Sequence, residues 1–71
     1  MTIRDAINAG VQFQGIEIEI RAWDDDKETY NVLHTATDEL YGVPEAVLDL
    51  EVTYIYAQNK TLVIEVEKRS Y

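Results

Sequence analysis

Apolar and polar positions alternate along most of this chain, and the alternation predicts strands. In residues 11–23, Ile16, Ile18 and Ile20 interleave with Glu17, Glu19 and Arg21, the period of two that a half-buried strand requires. Val11 and Phe13 fall on the opposite parity, with Gly15 between the two sets. A bulge at Gly15 would return Phe13 to the apolar face. The run Asp24, Asp25, Asp26 reads as a turn. Residues 28–36 read as a second strand, with Tyr30, Val32, His34 and Ala36 on one face. These residues share a face with the isoleucines only if the numbers of paired positions sum to an even value. A three-residue loop at 24–26, which pairs Trp23 with Lys27, meets that condition.

Residues 50–57 predict a third strand, with Leu50, Val52, Tyr54 and Tyr56 on the core side and Glu51, Thr53 and Ile55 opposite. Residues 61–67 predict a fourth, with Leu62, Ile64 and Val66 inward and Glu65 and Glu67 outward. The same parity rule favours an odd-length loop centred on Asn59. Helical spacing appears only in residues 2–9, where Ile3, Ala6 and Ile7 form one stripe between a capping Thr2 and the stop at Gly10. Pro44 followed by Glu45 suits a single helical turn within the irregular segment 37–49. Residues 68–71 read as a frayed end. The expected architecture is therefore one α+β domain, residues 1–71. It has a four-stranded antiparallel sheet, a short N-terminal helix on one face and a helical turn between strands two and three. A meander order is the default, and an order pairing strands one and four also fits the pattern.

Composition changes the picture at one point. There are 14 acidic and 6 basic residues, for a net charge of −8. Phosphate-driven nucleic-acid binding needs Lys and Arg, so direct binding is not expected, nor is attraction to an anionic membrane. No apolar run reaches the roughly 18 residues of a membrane span or has the form of a secretory signal, which predicts a cytoplasmic protein. The chain contains no cysteine, which excludes disulfides, thiolate metal sites and a cysteine nucleophile. At 46% apolar residues it is not a disordered acidic tail.

Strand parity places the charge. Glu17, Glu19, Glu51, Glu65 and Glu67 are expected on the solvent face of the sheet, with Arg21 and Thr53 among them. Asp24, Asp25 and Asp26 extend the charge at one end. A second cluster, Asp38, Glu39, Glu45 and Asp49, falls in the irregular segment. Successive outward residues on a strand lie about 6.6–6.8 Å apart, so such rows resemble a nucleic-acid backbone in sign and repeat. Any antiparallel sheet has a polar solvent face, which accounts for polarity better than for sign. Like charges on neighbouring strands destabilise, and a one-signed surface gains a purpose if it steers in a basic partner.

The remaining candidates are weaker. Asp24, Asp26 and Glu28 alternate as at the start of a calcium loop, but Thr29 and Thr35 stand where a Gly and a Glu are needed, so no metal site is expected. His34 is the sole histidine and has core parity, which suits a packed, hydrogen-bonded residue. No nucleophile elbow or Gly-rich phosphate loop is present, so neither an enzyme nor a cofactor is expected. Trp23 has outward parity beside the Asp turn and suits an interface anchor or a cap over the hairpin end. Leu33 and Ile55, also outward by parity, suit a contact patch or dimer seam.

The segments TIRDAINAG (2–10), WDDD (23–26), LDLEVTYIYA (48–57) and LVIEVE (62–67) resemble small acidic proteins of phages and mobile elements of Gram-positive bacteria. That group includes anti-CRISPR proteins, several of which present acidic surfaces to a basic channel of a CRISPR effector. The resemblance carries over no individual residue. It implies a non-enzymatic inhibitor in a bacterial host cell that binds a basic nucleic-acid-binding surface, in its specific form that of a Cas nuclease. The expected contacts are Glu17, Glu19, Asp24, Asp25, Asp26, Glu51, Glu65 and Glu67, with Trp23 as anchor. The alternative is a small structural or assembly module acting as a homodimer.

Overall fold

A computed structural model describes residues 1–10 and 12–67, with residues 12–14 described by their backbone alone. The expectations for Val11, for the Phe13 side chain and for a frayed 68–71 lie outside the described residues. Two helices and four strands follow in the order α1 (Ile3–Asn8), β1 (Gln12–Asp24), β2 (Thr29–Glu39), α2 (Glu45–Leu48), β3 (Val52–Gln58) and β4 (Thr61–Val66). The fold is α+β, as the pattern predicts.

Helix α1 starts as its sequence dictates. The Thr2 hydroxyl accepts the Asp5 N–H at 3.2 Å, and the Asp5 carboxylate accepts the Thr2 N–H at 3.0 Å. This reciprocal cap satisfies two backbone donors that the helix cannot. Gly10, at φ 71°, takes the left-handed conformation that ends it. Helix α2 is one turn long, and Pro44 sits at its cap position rather than inside it.

The sheet order is β2-β1-β4-β3. Strand β1 pairs antiparallel with β2 but parallel with β4, so the sheet is mixed, not purely antiparallel, and its order is not a meander. Burial explains the order. Leu62, Val63 and Ile64 form an unbroken apolar run, and Val63 and Ile64 are both buried although they point to opposite faces. A strand apolar on both faces belongs in the interior of a sheet. Placing β4 beside β1 buries it and leaves β3 at the edge.

Helices α1 and α2 cover one face of the sheet. Ile3 and Ala6 of α1 and Val47 of α2 pack on Ile18 and Ile20 of β1, and on Ile64 and Val66 of β4. Ile3, Ile18, Ile20 and Val63 are fully buried.

Three corrections concern register. First, the β1–β2 turn is four residues long, 25–28, with Trp23 opposite Tyr30 and Asp24 opposite Thr29. A three-residue loop pairing Trp23 with Lys27 is not formed. The Asp24 carboxylate accepts the N–H of Asp26 at 3.0 Å and of Lys27 at 3.3 Å, which bends the chain early, and Glu28 closes the turn at φ 51°. Second, a bulge at Leu33 restores the even register. Ile20 then faces His34 and Ile18 faces Ala36, as expected, but Arg21 faces Val32. Tyr30 and Val32 therefore lie on the outer face rather than with the isoleucines, whereas Leu33 packs on the core. Third, the β3–β4 loop has two residues, Asn59 at φ 48° and Lys60 at φ 65°. Positive φ at both centres is the turn that matches the twist of a two-residue hairpin. The odd register moves Tyr54 and Tyr56 to the outer face beside Glu65 and Val63, and Ile55 to the helix side beside Ile64.

The bulge expected at Gly15 is present, between Phe13 and Glu17 of β1. Gly15 sits at φ 77°, and its N–H donates to the Asp38 carboxylate, with Asp38 itself at φ 70°.

Candidate binding surface

The outer face of the sheet can be read off in rows. Glu17 lies between Thr37 and Thr61; Glu19 lies between Thr35 and Val63; Arg21 lies between Val32 and Glu65; and Trp23 lies opposite Tyr30. On the far side Tyr56 adjoins Val63 and Tyr54 adjoins Glu65. The face is thus acidic and aromatic together, and it includes three of the five glutamates expected there.

Arg21 organises its centre. Its Nε donates to Glu19 Oε2 at 2.9 Å, and its Nη1 donates to Gln58 Oε1 at 3.1 Å. The Arg21 and Glu19 side chains are only 20% and 24% exposed. The bond to Glu19, then the charge of Glu19, hold the guanidinium above its ordinary pKa. Desolvation raises the Tyr30 hydroxyl, and the charge of Glu65 raises it further. Val63, paired with Glu19 on one side and Tyr56 on the other, is fully buried although it points away from the helices. Trp23 and Tyr30 meet edge to face, with ring centres 5.0 Å apart. Trp23, Tyr30, Val32 and Tyr54 remain substantially exposed.

The other expected contacts lie elsewhere. Glu51 precedes β3 and pairs with Thr2; its carboxylate lies 2.9 Å from the amine of Met1. Glu67 follows β4 and reaches a cavity at the end of the sheet where the Asp turn sits. That cavity holds about 420 Å³ and is lined by Trp23, Asp24 and Asp26 from the hairpin, Leu33 from β2, and Val47 and Leu50 from the α2 segment. The expected cluster in 37–49 is divided. Asp38 caps the Gly15 bulge, whereas Asp49 and Glu45 lie 2.9 Å and 3.6 Å from Arg4. His34 is half-buried, and its Nε2–H donates to the Tyr41 carbonyl at 2.7 Å, as suits a packed residue. Among the described residues no three His, Asp or Glu side chains converge to hold a metal ion. No helix among them is long and apolar enough to cross a membrane.

The residues that parity missed are Tyr30, Val32, Tyr54 and Tyr56. The Asn59-Lys60 pair was a signal for a two-residue turn, although its second residue is not the usual glycine. Nothing in the local sequence marks the Leu33 bulge.

Three aspartates link the surface to pH. Asp5 is held below the ordinary Asp range first by the Thr2 backbone N–H, Asp24 first by the Asn31 amide, and Asp49 first by the Arg4 guanidinium. A carboxylate whose pKa is depressed on folding stabilises the fold above its unfolded value, about 3.9, and loses that contribution as pH falls through the folded value. Melting followed by circular dichroism should therefore show Tm falling most steeply below about pH 4. Asp24→Asn should lower Tm at pH 7 and flatten the acid limb; an unchanged limb would contradict the assignment.

No protein-family model, curated protein or solved structure matches the chain, so a functional reading rests on its own surface.

Proposed function

We propose that the chain is a non-enzymatic inhibitor that docks on a basic nucleic-acid-binding surface of a partner protein, its specific form being a Cas nuclease in the manner of anti-CRISPR proteins. The observation that carries the reading is the distribution of charge at one end of the molecule. Asp24, Asp26 and Glu67 meet at a cavity beside the exposed Trp23, and among the described residues no Lys or Arg lines that cavity. The outer face continues the surface with Glu65, Glu19 and Glu17. Exposed aromatics among acids suit an interface in which aromatic anchors supply the affinity and charge supplies the approach.

The test is competition. At low salt the protein should displace nucleic acid from its target, and the apparent affinity should fall as ionic strength rises. A target panel of basic nucleases, with displacement read by fluorescence anisotropy, measures it directly. Failure to displace nucleic acid from any of them at low salt would sink the proposal.

One observation favours the second reading, a homodimeric assembly module. Strand β3 is a sheet edge with neither charge nor proline in VTYIYAQ, and Tyr54 and Ile55 on it are exposed. Unprotected edges pair with other edges. Sedimentation at micromolar concentration separates the readings, since a strict monomer removes the dimer.

A further inference from the structure

The two edges of the sheet are not alike. Strand β2 carries Asp38 and Glu39 at its end, and the Leu33 bulge interrupts it midway. Charges and bulges of this kind keep an edge from pairing. Strand β3 is guarded only at its start, where Thr53 forms a bulge. There the Met1 carbonyl accepts the Val52 N–H at 2.7 Å, and Thr2 pairs with Glu51. At its other end the chain turns away at Asn59. Between these limits the run Tyr54 to Gln58 has no charge and no proline.

The register with β4 fixes what this run shows to its free side. The two-residue turn makes Gln58 and Thr61 a hydrogen-bonded pair, and the ladder alternates from there. Tyr54, Tyr56 and Gln58 therefore bond to β4, whereas Ile55 and Ala57 direct their N–H and C=O groups outward. Both are exposed, Ile55 at 50%.

Such a run fits a second copy of itself. In an antiparallel pair about a two-fold axis, outward groups must meet outward groups. The five residues have one centre, Tyr56. With the axis there, Ile55 faces the partner's Ala57 and Ala57 faces the partner's Ile55, each pair exchanging both N–H···O bonds. A large side chain meets a small one on the helix side, and two tyrosines meet across the axis on the outer face. An axis at Ile55 would bring the partner's Gln58 against Val52, where Met1 already sits.

We propose that two copies of this chain join through β3, antiparallel and centred on Tyr56, into one eight-stranded sheet. The inference rests on the second reading above, the assembly module, and deepens it by naming the strand and its register. Five residues from each copy make an interface below the roughly 1,200 Å² of stable complexes, so the dimer is a weak one.

Sedimentation between about 10 and 500 µM should show a monomer–dimer equilibrium. Each copy carries a charge of −8, so added salt should tighten it, the opposite of its effect on a complex with a basic partner. The chain has no cysteine, so single replacements report the register. Tyr56→Cys places two thiols across the axis with Cα atoms about 4.5 Å apart, within disulfide reach. In Ile55→Cys they lie more than about 8 Å apart. Under mild oxidation Tyr56→Cys should cross-link at least about 10-fold faster, although Ile55 is the more exposed. Ala57→Pro removes an N–H that β4 does not use and should weaken the dimer at least about 10-fold. Ala57→Glu, with a charge on the edge, should do the same, and circular dichroism confirms that each variant is folded. A strict monomer at 500 µM overturns the pairing and the assembly reading together. A dimer that cross-links as fast through Ile55→Cys, or that both Ala57 variants leave intact, overturns the pairing and leaves the assembly reading standing. A monomer whose complex with a basic nuclease is lost in Ala57→Pro means that the edge takes a foreign strand, and excludes the second copy.

Discussion

Ile20→Ala should leave a protein that is largely unfolded well below the melting temperature of the parent. Ile20 lies in the middle of β1, between His34 of β2 and Ile64 of β4, and is fully buried under the helices. Truncation removes three methyl or methylene groups and opens a cavity that two paired strands on either side cannot collapse into. Such changes cost about 2–5 kcal/mol. A chain of this length has about 4–11 kcal/mol of stability in total, so the loss is nearly half of it at the midpoint of both ranges. The Tm should drop by roughly 8–40 °C, read by circular dichroism or calorimetry. Ile55→Ala is the matched control. Ile55 points to the same side but sits on edge strand β3 and is 50% exposed, so its truncation should cost less than about 1.5 kcal/mol. Similar losses at the two sites would mean that β1 is not the central strand.

The contrast between these isoleucines shows how far the sequence could be read. Period-two alternation located every strand to within three residues at each end, and the Thr2 cap with the Gly10 stop located α1. Parity was sound wherever pairing was uninterrupted, as in Ile18 with Ala36 and Ile20 with His34. It failed beyond each irregularity, because a single inserted or deleted residue exchanges the faces of everything that follows. The four-residue turn at 25–28 moved Tyr30 and Val32 until the Leu33 bulge restored the register, and the two-residue loop at Asn59 moved Tyr54 and Tyr56. Strand order is a separate problem. A parallel pair such as β1 with β4 joins segments far apart in the chain and leaves no mark in the local pattern of either. The one trace was the unbroken Leu62-Val63-Ile64 run, which an edge strand with one solvated face would not carry.

The candidate site was legible to the same degree. The outward positions of Glu17, Glu19, Glu65 and Trp23 depended only on β1 and β4 keeping their own alternation, and they hold. Glu51 and Glu67 lie just outside strands, where alternation no longer says which way a side chain turns. Their displacement changes the character of the surface. Instead of rows of carboxylates alone, the outer face carries an Arg21–Glu19 pair ringed by tyrosines, and acid gathers at the Asp turn. A surface of this kind recognises by shape and by individual side chains as well as by sign.

The sharpest consequence of the register concerns Val63. Simple alternation puts it outward between Glu65 and Thr61, in water, where a polar or charged replacement would be tolerated. The structure buries it completely, with Glu19 on one side and Tyr56 on the other. Val63→Asp would place a carboxylate beneath the Arg21–Glu19 pair and next to Glu19. Arg21 is already engaged by Glu19 and Gln58, so no free cation stands within the same bonded group. An uncompensated buried charge costs about 3–5 kcal/mol, and repulsion from Glu19 adds to it. Val63→Asp should therefore be about as damaging as Ile20→Ala at neutral pH, and the damage should lessen as acid neutralises the new carboxyl, until the loss of Asp5, Asp24 and Asp49 takes over. Val63→Thr keeps the shape and adds only a hydroxyl, so it should be milder, by about 1–3 kcal/mol relative to the parent. Chemical denaturation of the three proteins at pH 7 and pH 5 measures both effects. A Val63→Asp protein as stable as the parent would restore the plain alternating face, and with it the simpler surface of carboxylate rows.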